Sequence, residues 1–159
     1  MPGAVVAGAA LIGIELHETA RGALELSHSP NAWHLNLSHT DGLVALAVAK
    51  TPVGVDVEDL QRRGRTVELS DRFFAPSEAR ALRALPEAAQ RSRFFDLWTL
   101  KEAYIKARGQ GLAIPLASFA FDLDHGPLAF QPQPGDPIIW QFARMDPTPR
   151  HRLALALAR

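Results

Sequence analysis

Residues 53–58 read Val53-Gly54-Val55-Asp56-Val57-Glu58. Valine alternates with smaller or charged residues, the period-two pattern of a strand with one packed face and one polar face. Beyond it the period changes. Residues 66–74 read as a helix, and a second helix runs from a Ser77 cap to about residue 85. Pro86 suits the first turn of a third helix, over 87–108, with Gly109 and Gly111 as its stop. Phe94, Trp98 and Ile105 fall on one face of that helix.

Upstream, residues 33–37 alternate as a strand, Thr40-Asp41-Gly42 marks a turn, and residues 43–49 form a second strand. With 53–57 as the third, these short links predict an antiparallel meander. Residues 4–14 are apolar and read as a buried strand. Residues 17–32 read as turns around a short strand at 24–26. Downstream, strands return at 118–123, 138–143 and 153–158. Residues 124–137 hold four prolines and read as an exposed loop. Strands, then helices, then strands predict an α+β fold of two lobes around central helices. The lobes are residues 1–60 and 61–159, in one integrated unit.

Composition narrows the function. The chain has 159 residues, 47% hydrophobic and 21% charged, which fits one globular domain and excludes wholesale disorder. The longest apolar run is well short of the ~20 residues that span a bilayer, so no membrane association is expected. There is no cysteine, which removes disulfides, thiolate metal sites and a cysteine nucleophile, and a cytoplasmic protein is expected. The histidines show no ligand spacing, which disfavours zinc. Net charge is zero, which argues against general nucleic-acid binding. The charge is unevenly spread, however. Residues 1–60 carry two basic and seven acidic side chains, whereas residues 61–108 carry eleven basic and six acidic. That basic middle is either a set of solvated helix faces or a surface for an acidic partner.

Asp56 and Glu58 lie at i and i+2 of a strand and share a face, roughly 6–7 Å apart at Cβ. Like charges that close repel unless a cation lies between them or one is protonated. A hard cation with oxygen ligands suits the pair, and so does a solvated strand edge. In Trp98-Thr99-Leu100-Lys101-Glu102-Ala103-Tyr104-Ile105-Lys106, Glu102 and Lys106 are stacked at i and i+4. A surface ion pair would look the same. Trp98 and Ile105 nevertheless put Glu102 at the margin of the apolar stripe, where a carboxylate needs a partner. His39, after Leu37-Ser38, is either a phosphate donor or base at a strand end, or a locally bonded turn residue.

Together these segments resemble the 4′-phosphopantetheinyl transferase superfamily in its longer, two-lobed form. Four blocks match in order over residues 30–122: Leu35-Asn36-Leu37-Ser38-His39-Thr40; Gly54-Val55-Asp56-Val57-Glu58; Arg72-Phe73-Phe74 with Ser77-Glu78; and Trp98 to Lys106 followed by Gly109-Gln110-Gly111-Leu112. The resemblance implies two pseudo-symmetric α+β lobes. It implies that Asp56, Glu58 and Glu102 hold Mg²⁺ (or Mn²⁺), and that Glu102 and Lys106 carry the catalysis. Ser38, His39 and Lys106 would bind coenzyme A. The implied reaction moves phosphopantetheine from coenzyme A to a serine of an acyl or peptidyl carrier protein and releases adenosine 3′,5′-bisphosphate. Arg62, Arg63, Arg65, Arg72, Arg80 and Arg83 would form the carrier-protein surface. A monomer is expected. Only 37 residues precede Ser38, and no Gly-Lys-Pro lies upstream. These departures support an alternative, a shortened homologue that binds carrier protein or coenzyme A without turnover.

Overall fold

The computed structural model describes residues 33–64, 66–110 and 113–159, together with the backbone of two short strands, β1 (Leu16–Glu18) and β2 (Leu24–Leu26). The strand expected at residues 4–14 lies outside the described residues. β3 (His34–Thr40) and β4 (Leu43–Ala49) form a full antiparallel hairpin, with Leu37 opposite Leu46 and Ser38 opposite Ala45. They complete a four-stranded sheet in the order β1-β2-β3-β4.

β5 (Val53–Asp59) does not join this hairpin. It pairs instead with β9 (His151–Ala158), from the far end of the chain, and β9 pairs with β8 (Trp140–Thr148), giving a second sheet. The expected meander is therefore corrected to two sheets. The reason lies in the two faces of β5. Val53 and Val55 pack with Leu153, Leu155 and Leu157 onto Ala45, Ala47 and Ala49 of β4. β4 thus meets β5 through side chains, and the backbone ladder of β5 goes to β9. Gly54 and Asp56 stand on the other face, opposite Ala156 and Ala154.

Three helices lie between the sheet strands in sequence: α1 (Val67–Phe73), α2 (Pro76–Ala84) and α3 (Glu87–Arg108). α3 has the expected span and ends on Gly109 at φ 63°, a left-handed cap that glycine adopts without strain. α2 starts one residue before the expected cap. Its N-cap is Ala75, whose N–H donates to Glu78 Oε2 at 2.9 Å, so Ser77 lies inside the first turn. The proline-rich stretch is not simply a loop. β7 (Ala129–Gln131) within it pairs with β6 (Ala120–Asp122), and the side chain of Asp136 is buried, accepting from Tyr104 Oη at 2.6 Å and Trp140 Nε1 at 2.9 Å.

α3 lies on the small-residue face of the second sheet. Its buried Phe94, Leu97, Leu100, Ala103, Tyr104 and Ala107 share one core with Ala154 and Ala156. The approach is closest at Gly54, where an added Cβ would sit 2.0 Å from the Ala103 carbonyl oxygen and 2.5 Å from the Ala107 nitrogen. Only a residue without Cβ fits there. Lys101, fully buried, fixes the helix from another side. Its ammonium contacts Glu78 Oε2 at 2.7 Å and donates to the carbonyls of Leu116 and Phe119 at 2.8 Å each. Glu78 in turn accepts from the N–H of Phe121 at 2.8 Å, so the buried pair is hydrogen-bonded on both sides.

The outer face of the β3–β4 hairpin exposes Leu37, Val44, Leu46 and Val48. The far end of the hairpin is tied to the second sheet by Arg150. Its Nε and Nη2 meet the two oxygens of buried Asp59 at 2.8 and 2.5 Å, and Nη2 also reaches Asp41 at 2.5 Å. No helix among the described residues is long and apolar enough to cross a membrane.

Two outcomes follow from this packing. Gly54→Ala drives a methyl into helix backbone that cannot rotate away. It should cost at least ~3 kcal/mol, the upper end of overpacking penalties, read as a lower unfolding midpoint in urea with unchanged slope. The Arg150 guanidinium holds the Asp59 carboxyl down, from 3.8 to about 2. A depressed carboxylate stabilises the fold above its unfolded pKa and loses that effect as pH falls through the folded value. Asp59→Asn should therefore melt lower than the wild type at pH 7. The two melting curves should converge between about pH 4 and pH 2, as followed by circular dichroism.

Candidate active site

The period of β5 places Asp56 over α3, and the missing Cβ of Gly54 lets the helix come close enough to reach it. Lys106, on the last turn of α3, donates to Asp56 Oδ1 at 2.7 Å and to the Val55 carbonyl at 3.1 Å. The ion pair of Lys106 is thus with Asp56 across the packing interface. No such pair with Glu102, its neighbour one turn back, occurs among the described residues. Ser38 of β3 also meets Asp56. Its hydroxyl donates to Oδ1 at 3.1 Å and accepts the N–H of Val57 at 3.2 Å. Asn36, two residues earlier on the same face, accepts the N–H of Val55 through Oδ1 at 2.8 Å.

The electrostatics are those of crowded, poorly hydrated carboxylates. Burial pushes the Asp56 carboxyl up from 3.8 to about 6, against the pull of Lys106 and with a further push from Glu58. Glu102, half-buried, is raised from 4.5 to about 7, first by burial and then by repulsion from Asp56 and Glu58, with Lys106 opposing. Asp56 Oδ2 is buried and has no hydrogen-bond partner. One lysine faces three carboxyl groups that feel one another, and such a site favours an added positive charge.

A divalent cation fits this chemistry. The donors are hard carboxylate oxygens, and the orphaned Oδ2 of Asp56 is the kind of atom a cation would satisfy. The geometry is not that of a closed cage. Among the described residues no three acidic or histidine side chains are grouped closely enough to hold a metal. Both oxygens of Glu58 are taken up by Arg62 Nη1, at 2.7 and 2.8 Å.

The other expected site residues are dispersed. His39 is exposed on the opposite face of β3, in register with Val44. Arg63, Arg72 and Arg80 are exposed. Arg83 is paired with Asp71 at 2.5 Å, and Arg65 lies outside the described residues. A cleft of about 340 Å³ lined by Glu78, Leu82, Leu97, Phe121 and Phe130 contains none of the clustered carboxylates. Sequence reasoning gave no part to Asn36, although polar residues at i and i+2 of a strand are a signal in their own right. Nor did it foresee the buried Lys101–Glu78 pair.

Comparison with known proteins agrees with this architecture. Residues 52–157 match the family model described as the 4′-phosphopantetheinyl transferase superfamily. The 4′-phosphopantetheinyl transferase gsp of Aneurinibacillus migulanus is 40% identical over 89 residues, 56% of this chain and 37% of that protein. The 4′-phosphopantetheinyl transferase ffp of Bacillus subtilis is 33% identical over 132 residues, 82% of this chain and 57% of that protein. The chain therefore spans between about a third and three fifths of these curated relatives. Among solved structures, the holo-[acyl-carrier-protein] synthase of Thermotoga maritima superposes with a TM-score of 0.57 at 21% identity, covering 69% of this chain and 63% of that one. A holo-(acyl-carrier-protein) synthase of Bacillus anthracis in complex with CoA (3′,5′-ADP) gives 0.56 at 16% identity, covering 68% and 95%. These likenesses carry the fold. With the family model spanning two thirds of the sequence, and Asp56 and Glu102 drawn into one charged group by β5 and α3, the chain belongs to the 4′-phosphopantetheinyl transferase superfamily.

Proposed function

We propose that the protein transfers 4′-phosphopantetheine from coenzyme A to a serine of an acyl or peptidyl carrier protein. The observation that carries this reading is the meeting of β5 and α3 at Asp56, whose Oδ1 takes Lys106 at 2.7 Å while its Oδ2 is buried without a partner. In the reaction the serine oxygen forms a bond to the phosphorus that bears pantetheine. The bond from that phosphorus to the bridging oxygen breaks, and adenosine 3′,5′-bisphosphate leaves. The serine proton must go to a base, and Glu102, on the α3 turn before Lys106, is the carboxylate we assign to accept it, directly or through water. Lys106 supplies a compact positive charge at the diphosphate once it is released from Asp56. Asp56, Glu58 and Glu102 are the residues that would hold Mg²⁺ or Mn²⁺. When bound, such an ion neutralises charge that develops on the phosphates.

Membership of the superfamily supports the reading, as does the coenzyme A complex of the Bacillus anthracis relative. On it the chain is a cytoplasmic monomer of two pseudo-symmetric α+β lobes. Its partners are coenzyme A and the carrier protein, with no nucleic acid or membrane involved, and His39 lies toward the coenzyme. The pairing of both Glu58 oxygens with Arg62 favours a second reading, a homologue that binds coenzyme A or carrier protein without turnover. Mass spectrometry of apo carrier proteins incubated with the protein, coenzyme A and Mg²⁺ separates the two. A gain of one phosphopantetheine supports transfer, and an unchanged carrier that still co-purifies with the protein supports the second reading.

Glu102→Gln should abolish transfer in the same assay. Without divalent cation it should also stabilise the fold at neutral pH. A carboxyl whose folded pKa is raised to about 7 leaves stability intact below its ordinary 4.5 and costs stability as pH rises through 7. Melting temperatures of variant and wild type should match near pH 4.5, and the variant should melt higher at pH 8. Near-normal turnover would remove Glu102 from the chemistry.

Recognition of the carrier protein is expected to rest on Arg63, Arg72 and Arg80, which are exposed, with Arg62, Arg65 and Arg83 beside them in sequence. Exposed charges act over about 8 Å at physiological salt and mainly speed encounter. Arg63→Glu with Arg80→Glu should raise the carrier's KM severalfold and leave that of coenzyme A unchanged. Added salt should weaken the wild type more than the double variant.

A further inference from the structure

We infer that Arg62 is a displaceable latch on Glu58, standing where a divalent cation would stand and competing with it for that carboxylate. The inference rests on the reading of Glu58 as a cation ligand. A guanidinium often meets a carboxylate as a fork, with two nitrogens on two oxygens. Arg62 does not. A single nitrogen, Nη1, donates to Oε1 and Oε2 of Glu58 at 2.7 and 2.8 Å. One positive centre between both oxygens is also how a glutamate chelates a cation. The guanidinium and a cation therefore cannot hold Glu58 in this way together.

The latch has a fixed base and a free arm. The Arg62 N–H donates to the Asp59 carbonyl at 3.1 Å, and the Gln61 N–H donates to Asp59 Oδ1 at 2.8 Å. Arg91 of α3 holds the same turn. Its guanidinium donates to the Leu60 carbonyl at 2.8 Å, to Thr66 Oγ1 at 2.9 Å and to the Arg62 carbonyl. The turn thus delivers the Arg62 side chain to Glu58, but nothing encloses the guanidinium. The Arg62 side chain is 45% exposed, against 13% for Glu58. Among the described residues Glu58 is the only partner of that guanidinium. On leaving, Arg62 gives up one ion pair and is rehydrated at once. An exposed pair of this kind shifts an equilibrium by no more than about fivefold. Fully buried Lys101 has no such exit, because Glu78 and two carbonyls surround it. The pairing that would close the site if it were permanent is therefore reversible.

The test titrates Mn²⁺ into the wild type, Arg62→Gln, Arg63→Gln, Glu58→Gln and the double variant of Arg62→Gln with Glu58→Gln. Free Mn²⁺ is followed by electron paramagnetic resonance. Arg62→Gln should tighten Mn²⁺ binding about three- to fivefold, the weight of an exposed ion pair. Arg63→Gln removes the same charge from the next residue, and screening should hold its effect below about 1.5-fold at physiological salt. In the Glu58→Gln background Arg62→Gln should gain nothing, because the carboxylate it competes for is gone. Equal gains from Arg62→Gln and Arg63→Gln, or a gain that survives in Glu58→Gln, mark general electrostatics and overturn the inference. Unchanged Mn²⁺ affinity in Arg62→Gln overturns it as well, and a loss of carrier binding in that variant would then leave Arg62 to the partner surface alone. Absence of Mn²⁺ binding in both the wild type and Arg62→Gln overturns it too. Mn²⁺ affinities in the expected order with no transfer overturn the transferase reading alone and leave the latch standing.

Discussion

The site depends on how closely one helix can lie on one strand. Side chains ordinarily hold a helix about 10 Å from the sheet beneath it. Here the stripe under α3 is Gly54, Ala154 and Ala156, and the helix presents Ala103 and Ala107 to it. Removing side-chain volume from both surfaces brings the Ala103 carbonyl into contact with the Gly54 backbone. Glu102 and Lys106 flank Ala103 along the helix, and Asp56 is the next residue of β5 on the same face as Gly54. The carboxylates are therefore crowded because the backbones are. Their raised pKa values are the electrostatic expression of a packing decision.

The two lysines of α3 illustrate how position decides role. Lys101 and Lys106 are five residues apart, so they leave the helix on different sides. The first is enclosed by Glu78 and two carbonyls, and none of its hydrogens is free for a ligand. It joins α3 to the start of α2 and to the strands after residue 119. Lys106 shares a site where carboxyl groups outnumber it and is partly exposed, so it can exchange partners. The sequence pattern Lys-Glu within the tryptophan block thus combines a structural lysine with a half-buried glutamate whose carboxyl is pushed up by burial and its acidic neighbours.

What could be read from the sequence was whatever has a short period or a local cap. The limits of α3 follow from Pro86, its apolar face and Gly109, and all of these lie within the helix or next to it. The shared face of Asp56 and Glu58 follows from the pleat alone. The partner of β5 was not legible, because β4 and β9 offer equally apolar strands and only the side-chain volumes decide. Alanines on β4 let it stack against β5, whereas β9 supplies the ladder. The bond from Ser38 to Asp56 was hidden for the same reason, since two strands meeting through side chains leave no periodic trace. The proline-rich segment misled because proline marks where backbone donors are missing and does not say whether a neighbour such as Asp136 is buried.

The outer face of the β3–β4 hairpin bears on colloidal behaviour. Val44 is 64% exposed and Leu46 51%, with Leu37 and Val48 beside them. A patch of this kind is kept apart from its copies chiefly by like-charge repulsion, and this chain has a net charge of zero at pH 7. Second virial coefficients should thus be least favourable at neutral pH. Moving a buffer one or two units in either direction restores repulsion. Solubility is in this sense set by the first sheet, and the chemistry by the second.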